Sequence, residues 1–309
     1  MNEIAKLSEL APAETQAVII NCGTKWVSTL ALLSADRNTG CPVLLINCES
    51  RDGSREHFFQ LSAKLKLRVT WMEWPLRPHH AALDQLFREV RSERVLLVDS
   101  DVELLSHRVF AGMSTLLSAD ASTYGSGFLH GPEWVGSAHG LHENAGYYMP
   151  RMWIPLTLLR TDAVRTALNS GLSFEGQRLF QDLTRFPRIA RLLGYRYRFP
   201  HLQQIRLPTR WRRDRSDSDG EAGTASASFL DFDTGAVLHR WLLAKGYRFA
   251  ALPRERWTDV RHFHGGTRTA VLNPLVRLAG QLGVAVTDHR SERSILEVVK
   301  GRLSSEYGL

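Results

Sequence analysis

Two carboxylates one residue apart follow an apolar run in the stretch RVLLVDSDVELL. Asp99 and Asp101, with Ser100 between them, come directly after residues typical of a buried strand. Both groups cannot enter an apolar core without a large cost in free energy, so we expect them to face solvent or a cation. Their oxygens suit a hard divalent ion such as Mn²⁺ or Mg²⁺, which also binds phosphate oxygens. The alternative is a solvated turn in which Asp and Ser cap a helix.

Further groups capable of chemistry lie late in the sequence. The stretch VRHFHGGT holds His262 and His264, either of which could add a nitrogen ligand to a metal, or be an ordinary surface or core imidazole. The stretch DFDTG holds Asp231 and Asp233, before a helix predicted from Asp233 to Lys245. A carboxylate at that helix start could act as a general base, with its anionic form favoured by the helix dipole, or could only cap the helix.

The elements that must position these groups alternate in type along the first hundred residues. Apolar runs predict strands, and amphipathic stretches predict helices, at 16–21 (strand), 24–35 (helix), 41–47 (strand), 53–65 (helix), 67–72 (strand), 78–90 (helix) and 94–99 (strand). Such alternation predicts an α/β fold with a parallel sheet covered by helices on both faces. Ligands of open sheets bind beyond the carboxyl ends of the strands, where Asn21, Asn47 and Asp99 fall. We therefore expect these three side chains to converge on one crevice.

The rest of the chain is less regular. Residues 122–153 are rich in glycine, histidine and aromatic residues, as expected of a region that faces a substrate, although aromatic residues at such spacing also build cores. Residues 213–228 are small and polar, which predicts a flexible loop. Residues 271–309 form a helical, amphipathic pattern, and we expect them to pack on the domain as an appendage.

Four stretches, taken in order, resemble the motifs of GT-A glycosyltransferases, and of their family 2 in particular. VLLVDSDVELL resembles the family's D-x-D segment, and NCESRDGS resembles D-N-x-S-x-D-G-S, with Asn47 in place of the nucleoside-contacting Asp. DFDTGAVLHRWLLAKGY resembles an E-D helix start with Phe232 at the Glu position, and VRHFHGGT resembles V-x-H-x-x-G-x-S. The resemblance covers residues 16–268. The stretch HFHGGTR also approaches the H-x-x-G-x-x-K ending of the retaining family 8, with Arg268 in place of Lys.

The resemblance implies a domain organisation. A GT-A domain, with a mainly parallel sheet sandwiched by helices, would occupy residues 1–270. Its nucleotide-sugar half would span about 16–130 and its irregular acceptor half about 131–270. The helical appendage at 271–309 would follow.

The resemblance also implies a reaction and its residues. The protein would move a sugar from a nucleotide-diphosphate sugar to an acceptor hydroxyl, with Mn²⁺ or Mg²⁺ bound by Asp99, Asp101 and one of His262 and His264. Asp233 would be the general base, with Asp231 as the second candidate. The anomeric centre would then be inverted, and the likeness to family 8 leaves retention open.

The remaining candidate residues follow from the same resemblance. Polar residues and a glycine near the carboxyl edge of the sheet would contact the nucleotide sugar: Asn21, Gly23, Lys25, Asn47, Glu49, Ser50, Asp52, Arg77, His80, Asp84, Asp99 and Ser100. Aromatic residues would stack on the acceptor: Trp134, Tyr148 and Trp153.

The composition and the cysteine pattern indicate the size of the domain and the compartment in which the protein folds. The chain has 309 residues, 43% hydrophobic and 23% charged, enough for one large domain. We expect a cytoplasmic protein, because the amino-terminal residues hold no apolar signal core and no apolar run approaches the ~18–20 residues of a membrane helix. The cysteines Cys22, Cys41 and Cys48 form no C-x-x-C pair, which predicts reduced thiols.

The net charge of +7 suggests an anionic partner. Ten arginines and no lysine lie between Arg185 and Arg215, and they could meet a nucleotide pyrophosphate, a phospholipid surface or an anionic sugar polymer, or be a solvated basic face. With the resemblance, this favours a lipid-linked or phosphorylated glycan as acceptor, and peripheral contact with an anionic inner membrane face. No nucleic-acid-binding signature accompanies the charge, so no nucleic acid is expected.

Two other functions stay open on the sequence alone. The phosphatases of the haloacid dehalogenase class use D-x-D-x-[TV] after a first strand, whereas here Glu103 holds the fifth position and the motif follows a fourth strand. A basic module that binds anionic lipid or nucleic acid would use the arginine-rich segment, but leaves the D-x-D and the His-Gly-Gly stretch unexplained.

Overall fold

A computed structural model of the protein describes residues 1–130, 146–148, 150–180, 212–213, 225–226, 229–263 and 290–309. The strands are β1 (Asn2–Ile4), β2 (Thr15–Asn21), β3 (Val43–Cys48), β4 (Val69–Trp74), β5 (Arg94–Val98), β6 (Val102–Leu104), β7 (Thr123–His130), β8 (Gly146–Tyr148), β9 (Arg151–Arg160), β10 (Gln177–Phe180), β11 (Arg212–Arg213), β12 (Ala225–Ser226), β13 (Phe229–Phe232), β14 (Arg248–Ala251) and β15 (Val260–His262). The α-helices are α1 (Lys25–Thr39), α2 (Ser54–Leu65), α3 (His79–Glu89), α4 (His107–Ala119), α5 (Thr161–Asn169), α6 (Ala236–Ala244) and α7 (Arg290–Tyr307).

Eight strands of the described chain form the central sheet, in the order β1-β4-β3-β2-β5-β9-β7-β14. The strands from β1 to β5 in this order run parallel, and β14 runs parallel to β7. Only β9, within these residues, runs antiparallel to its neighbours β5 and β7. The predicted α/β fold with a mainly parallel sheet is therefore confirmed.

Helices cover both faces of the sheet, which is why its central strands are almost continuously apolar. One face packs against α1, α2, α4 and α7, through a core that includes Leu30, Met113 and Leu303. The opposite face packs against α3, α5 and α6, through a core that includes Leu83 and Val164. This double burial fixes the strands, and so it fixes the direction in which their carboxyl ends point.

The predicted helix start at Asp233 was wrong, because α6 begins at Ala236. Gly235 precedes the helix with φ at 78°, a left-handed conformation that glycine adopts without the steric cost of a side chain. The backbone carbonyl of Asp233 accepts a hydrogen bond from the Ala236 amide at 2.8 Å. Asp233 therefore lies in a turn before the helix rather than in its first turn.

Smaller sheets and the last helix complete the described chain. Strand β6 pairs antiparallel with β15, and β13 lies between β10 and β8. Helix α7 packs on the domain through the buried side chains of Val299 and Leu303. Of the loop predicted at 213–228, the described residues are Arg213, Ala225 and Ser226, and Arg213 is the register partner of Ala225. Among the described helices, none has the length and apolar character needed to span a bilayer.

Candidate active site

The carboxylate pair lies directly beyond the carboxyl end of β5. The Asp99 amide donates to the carbonyl of Pro155 at 2.8 Å, and the Asp99 carbonyl accepts from the Val102 amide at 3.0 Å, so the chain turns tightly here. Asp101 is 4% exposed, whereas the Asp99 side chain is 29% exposed. Ser100 is buried between them. The segment is therefore a fixed turn with one buried and one half-open carboxylate, not a solvated loop.

Two histidines flank the carboxylates. His262 Nε2 lies 3.3 Å from Asp101 Oδ1, and His79 Nε2 lies 3.8 Å from Asp99 Oδ1. Strand pairing holds His262 in place, since it is the register partner of Val102 and the next amide, that of Phe263, donates to the Asp101 carbonyl at 2.9 Å. The late V-x-H stretch thus reaches the D-x-D stretch through a short antiparallel ladder.

His79 is a site residue that the sequence did not identify. The residue chosen there was His80, which is half-buried one position further along α3. Successive residues of an α-helix point about 100° apart, so only one of two neighbouring histidines can face the carboxylates. His264, the other candidate ligand in the late stretch, lies outside the described residues.

Neighbouring charged groups at this turn act in opposite directions on the pKa of Asp99. Burial raises the pKa of the Asp99 carboxyl above its ordinary value, and the neighbouring Asp101 carboxylate raises it further. His79, His262 and Arg151 act in the opposite direction and favour the charged form of Asp99. Crowded carboxylates of this kind are relieved by a cation.

The donor chemistry of these side chains suits a divalent ion shared with a ligand. Within the residues that the structure describes, no group of three or more His, Cys, Asp or Glu side chains is arranged as a complete metal site. Asp99, Asp101 and His262 nevertheless offer two carboxylates and an imidazole. Mn²⁺ binds both kinds of ligand, whereas Mg²⁺ prefers the carboxylate oxygens. Such ions often complete their coordination with substrate phosphates and water. The residues present therefore fit an ion that a phosphate-bearing ligand helps to bind.

A buried arginine joins the cluster from β9 and was not predicted. The Arg151 guanidinium forms an ion pair with Asp233 Oδ2 and donates to the carbonyl of Met152 at 3.1 Å. The other carboxylate oxygen of Asp233 accepts from the Thr234 amide at 2.7 Å. The signal available in the sequence was the apolar run MWIPLTLL, because its antiparallel pairing with β5 brings the start of β9 to the edge where β5 ends. Asp231 lies in β13, where its backbone is in register with Tyr148 and Arg178.

A buried hydrogen-bond network occupies the carboxyl ends of β2 and β3. Asn21 Nδ2 lies 2.7 Å from Asn47 Oδ1, and Asn21 Oδ1 accepts from the hydroxyls of Thr24 and Ser28, both at 2.8 Å. Asn47 Nδ2 donates to Glu73 at 2.9 Å. Asn21 and Asn47 thus converge as predicted, but their side chains bond to the protein itself and fix this edge of the sheet.

The loop after β3 is braced against the start of α1. The Ser50 hydroxyl accepts from the Gly23 amide at 2.8 Å. Asp52 accepts from the Lys25 amide at 3.0 Å, and Lys25 Nζ donates to the Asp52 carbonyl at 2.8 Å. Glu49 stays exposed, with φ at 47°. The motif residues therefore form a rigid rim beside the Asn21 network.

Two other residues predicted to contact the nucleotide sugar, Arg77 and Asp84, bind parts of the protein itself. Arg77 stacks over the Trp74 ring at 4.8 Å beside the end of β4. Asp84 accepts from the Ser173 hydroxyl at 2.6 Å and from the Phe174 amide at 2.9 Å, so it braces the chain after α5.

The predicted acceptor residues are only partly described. Trp153 is buried and packs edge-on against Trp257 and His262, with ring centroids 4.6 and 5.2 Å apart, so it supports the site from the core. Tyr148 is described as part of β8, and Trp134 lies outside the described residues.

The acid that follows the D-x-D turn is tied to the last helix. Glu103 is buried, and Arg302 of α7 donates to both of its oxygens, with Nε at 2.9 and 2.8 Å and a terminal nitrogen at 2.5 Å. Arg261 approaches the same carboxylate at 3.7 Å. The strand that leaves Asp101 is thereby locked to the carboxyl-terminal helix.

Comparisons with known proteins add only a likeness of fold. No family model and no curated protein sequence matches this chain. A mannosyltransferase from Pyrobaculum calidifontis, in complex with GDP-Man and Mn²⁺, aligns with 98% of this chain and 73% of its own, at 14% identity and a TM-score of 0.45. Residues 1–349 of TarS from S. aureus align with 50% of this chain and 49% of their own, at 13% identity and a TM-score of 0.36.

A third structure, glucosyl-3-phosphoglycerate synthase from Mycobacterium tuberculosis in complex with Mn²⁺, UDP and phosphoglyceric acid, aligns with 48% of this chain and 56% of its own, at 10% identity and a TM-score of 0.35. This chain spans about half the length of the last two proteins. A mannosyltransferase is thus among the solved structures similar to this chain. Identities and TM-scores at this level assign no family and no activity, so the function rests on the geometry of the site.

Proposed function

We propose that this protein is a glycosyltransferase that moves a sugar from a nucleotide-diphosphate sugar to an acceptor hydroxyl. The observation that carries the proposal is the convergence of Asp99, Asp101 and His262 with the Arg151–Asp233 pair at one edge of the sheet. A leaving diphosphate needs positive charge opposite it, and an attacking hydroxyl needs a base. This edge supplies groups for both needs.

Asp99, Asp101 and His262 would hold Mn²⁺ or Mg²⁺, which supplies positive charge opposite the leaving diphosphate. Asp233 takes the proton of the acceptor hydroxyl as that oxygen bonds to the anomeric carbon. The bond between this carbon and the diphosphate oxygen breaks, and its electron pair leaves with the nucleoside diphosphate. Because one displacement occurs at the anomeric carbon, its configuration inverts. A product with retained configuration in an NMR spectrum would refute this role of Asp233.

The nucleotide is proposed to lie across the ends of β2 and β3. The Asn21 network and the brace between Lys25 and Asp52 support that position, since hydrogen bonds fix both and β2 pairs with β5, the strand that precedes the D-x-D turn. Gly23 and Ser50 would then approach the nucleoside, and Arg77 and His80 would lie at the rim. A braced site of this kind loses little conformational entropy when a ligand binds.

The acceptor is proposed to be a lipid-linked or phosphorylated glycan, in cell-surface polysaccharide, lipopolysaccharide or natural-product glycosylation. The net charge of +7 supports an anionic acceptor and peripheral contact at an anionic membrane face, and we propose that the protein is cytoplasmic. Binding to anionic vesicles that is lost in high salt tests this part of the proposal, and binding that is equal with neutral vesicles refutes it.

The decisive experiment is a thermal-shift panel of UDP, GDP, ADP and dTDP, each with and without Mn²⁺. A ligand that binds only the folded state raises the melting temperature, so one nucleotide should give a shift that depends on the metal. The variant Asp101→Asn should abolish that shift, whereas Asp120→Asn, an exposed acid of another ion pair, should keep it. Nucleotide-sugar hydrolysis with the matching donor then gives the activity. The proposal fails if no nucleotide shows a metal-dependent shift, or if Asp101→Asn keeps it.

A further inference from the structure

Arg151 is buried more deeply than the acid with which it pairs. Its side chain is 10% exposed, whereas that of Asp233 is 47% exposed. A guanidinium is costly to remove from water unless its charge and its N–H groups are matched. Pairing with a half-exposed aspartate on the surface would not require the arginine to lie inside. The burial of the Arg151 side chain therefore indicates a role in the candidate active site rather than in a surface ion pair.

The surroundings of Arg151 show what holds it there. It is the first residue of β9, in register with His130 of β7, and its guanidinium donates to the Met152 carbonyl as well as to Asp233. Its charge also reaches Asp99, which it stabilises in the charged form. Of the groups that act on the Asp99 carboxyl, Arg151 has the smallest effect, so its main partner is Asp233.

Both oxygens of Asp233 are oriented by protein groups. Arg151 holds one oxygen, and the Thr234 amide holds the other. Each carboxylate oxygen still has a further lone-pair direction, and the side chain is half open to solvent. A base that a third group orients in this way recurs in catalytic sites.

We propose that Arg151 is a positioning residue, which fixes the Asp233 carboxylate in the orientation that accepts the acceptor's proton. This rests on the proposed function, in which Asp233 is the general base. In this role the arginine acts through Asp233 and not directly on the donor or the acceptor. Loss of Arg151 should therefore slow the transfer step without weakening donor binding.

The experiment compares steady-state kinetics of Arg151→Met, Arg151→Lys, Asp233→Asn and the double variant Arg151→Met/Asp233→Asn, with the donor that the nucleotide panel identifies. Arg151→Met should lower kcat on the order of 10²-fold, as expected for loss of an oriented base, with the donor KM within about threefold of wild type. Arg151→Lys should restore part of kcat, because it keeps the charge but not the fork of donors. The double variant should be no slower than Asp233→Asn alone.

Arg160 provides the matched control at the other end of the same strand. Its guanidinium donates to the carbonyls of Thr123 and Leu117, away from the cluster, so Arg160→Met should leave kcat and KM unchanged. If Arg151→Met does not fold, Arg151→Gln takes its place in every comparison. Wild-type kcat in a folded Arg151 variant, or losses that multiply in the double variant, would overturn the positioning role alone. Absence of transfer by the wild-type protein with every donor would overturn the proposed function, and the role of Arg151 with it.

Discussion

Loss of the Arg302 side chain should destabilise the protein far more than loss of a surface arginine. Glu103 is 2% exposed on its side chain and receives three N–H···O contacts from Arg302, so Arg302→Met leaves a buried carboxylate with only the longer contact to Arg261 among the described residues. Breaking a buried ion pair by removing one partner costs about 3–5 kcal/mol. Because Arg302 is 22% exposed and Arg261 remains, we expect the lower end, a loss of about 3 kcal/mol in the free energy of unfolding.

The assay is urea unfolding at 25 °C, followed by tryptophan fluorescence and circular dichroism. Arg248→Met is the control, since Arg248 pairs with Asp120 at 3.5 Å on the open surface and should cost less than about 1 kcal/mol. The double variant Glu103→Leu/Arg302→Met should recover most of the loss, because it removes the buried charge together with its partner. A loss for Arg302→Met no larger than that of the control, or a double variant less stable than Arg302→Met, would refute the reasoning.

Three further expectations concern stability. Burial lowers the pKa of His239 from its ordinary 6.5 to about 3, so between these pH values the unfolded chain binds a proton that the folded chain does not. Between about pH 6 and pH 3 this residue should therefore lower the free energy of unfolding by about 1.4 kcal/mol for each pH unit of acidification. The double variant Tyr124→Phe/His239→Phe should show a smaller slope in urea titrations at several pH values. Gly235→Ala should lower the free energy of unfolding by about 2 kcal/mol in the same assay, because φ is 78° and an added Cβ would lie 2.9 Å from a β9 side chain. Gly301→Ala is the control, because it has open space around it and should be neutral or stabilising. Asn21→Ala should cost about 2 kcal/mol by leaving buried polar partners unmatched, and a cost under half of that would show that water replaces the amide.

The sequence predicted the first half of the fold well, because its signal there is local. Strands buried on both faces are continuously apolar, and the turns between elements are short, so β2, β3, β4 and β5 were found within two residues or so of their observed bounds. The polar ends of these strands follow from the same pattern. Parallel strands end at one edge, and this alone brought Asn21, Asn47 and Asp99 together in the prediction.

The site residues that escaped prediction depend on long-range pairing. Arg151 reaches the cluster because β9 runs antiparallel between β5 and β7. The apolar run of β9 indicates a strand, but neither the direction of that strand nor its neighbours can be read from the local sequence. His79 rather than His80 faces Asp99 because of the rotation of α3, which packing decides. Helix α6 begins after Asp233 because Gly235 adopts a left-handed conformation. A glycine in a sequence permits this conformation but does not predict it.

The link between Glu103 and Arg302 also has a consequence for biosynthesis. The two residues are 199 positions apart, so a growing chain exposes Glu103 long before its partner is made. Until α7 arrives, the carboxylate must stay hydrated, and the strand that carries Asp101 into the core cannot close over it. A ribosome-bound chain that stops before α7 should therefore be cleaved by protease near residues 99–105, and a chain released with α7 should be protected there. The D-x-D turn would then become ordered only after α7 has been made.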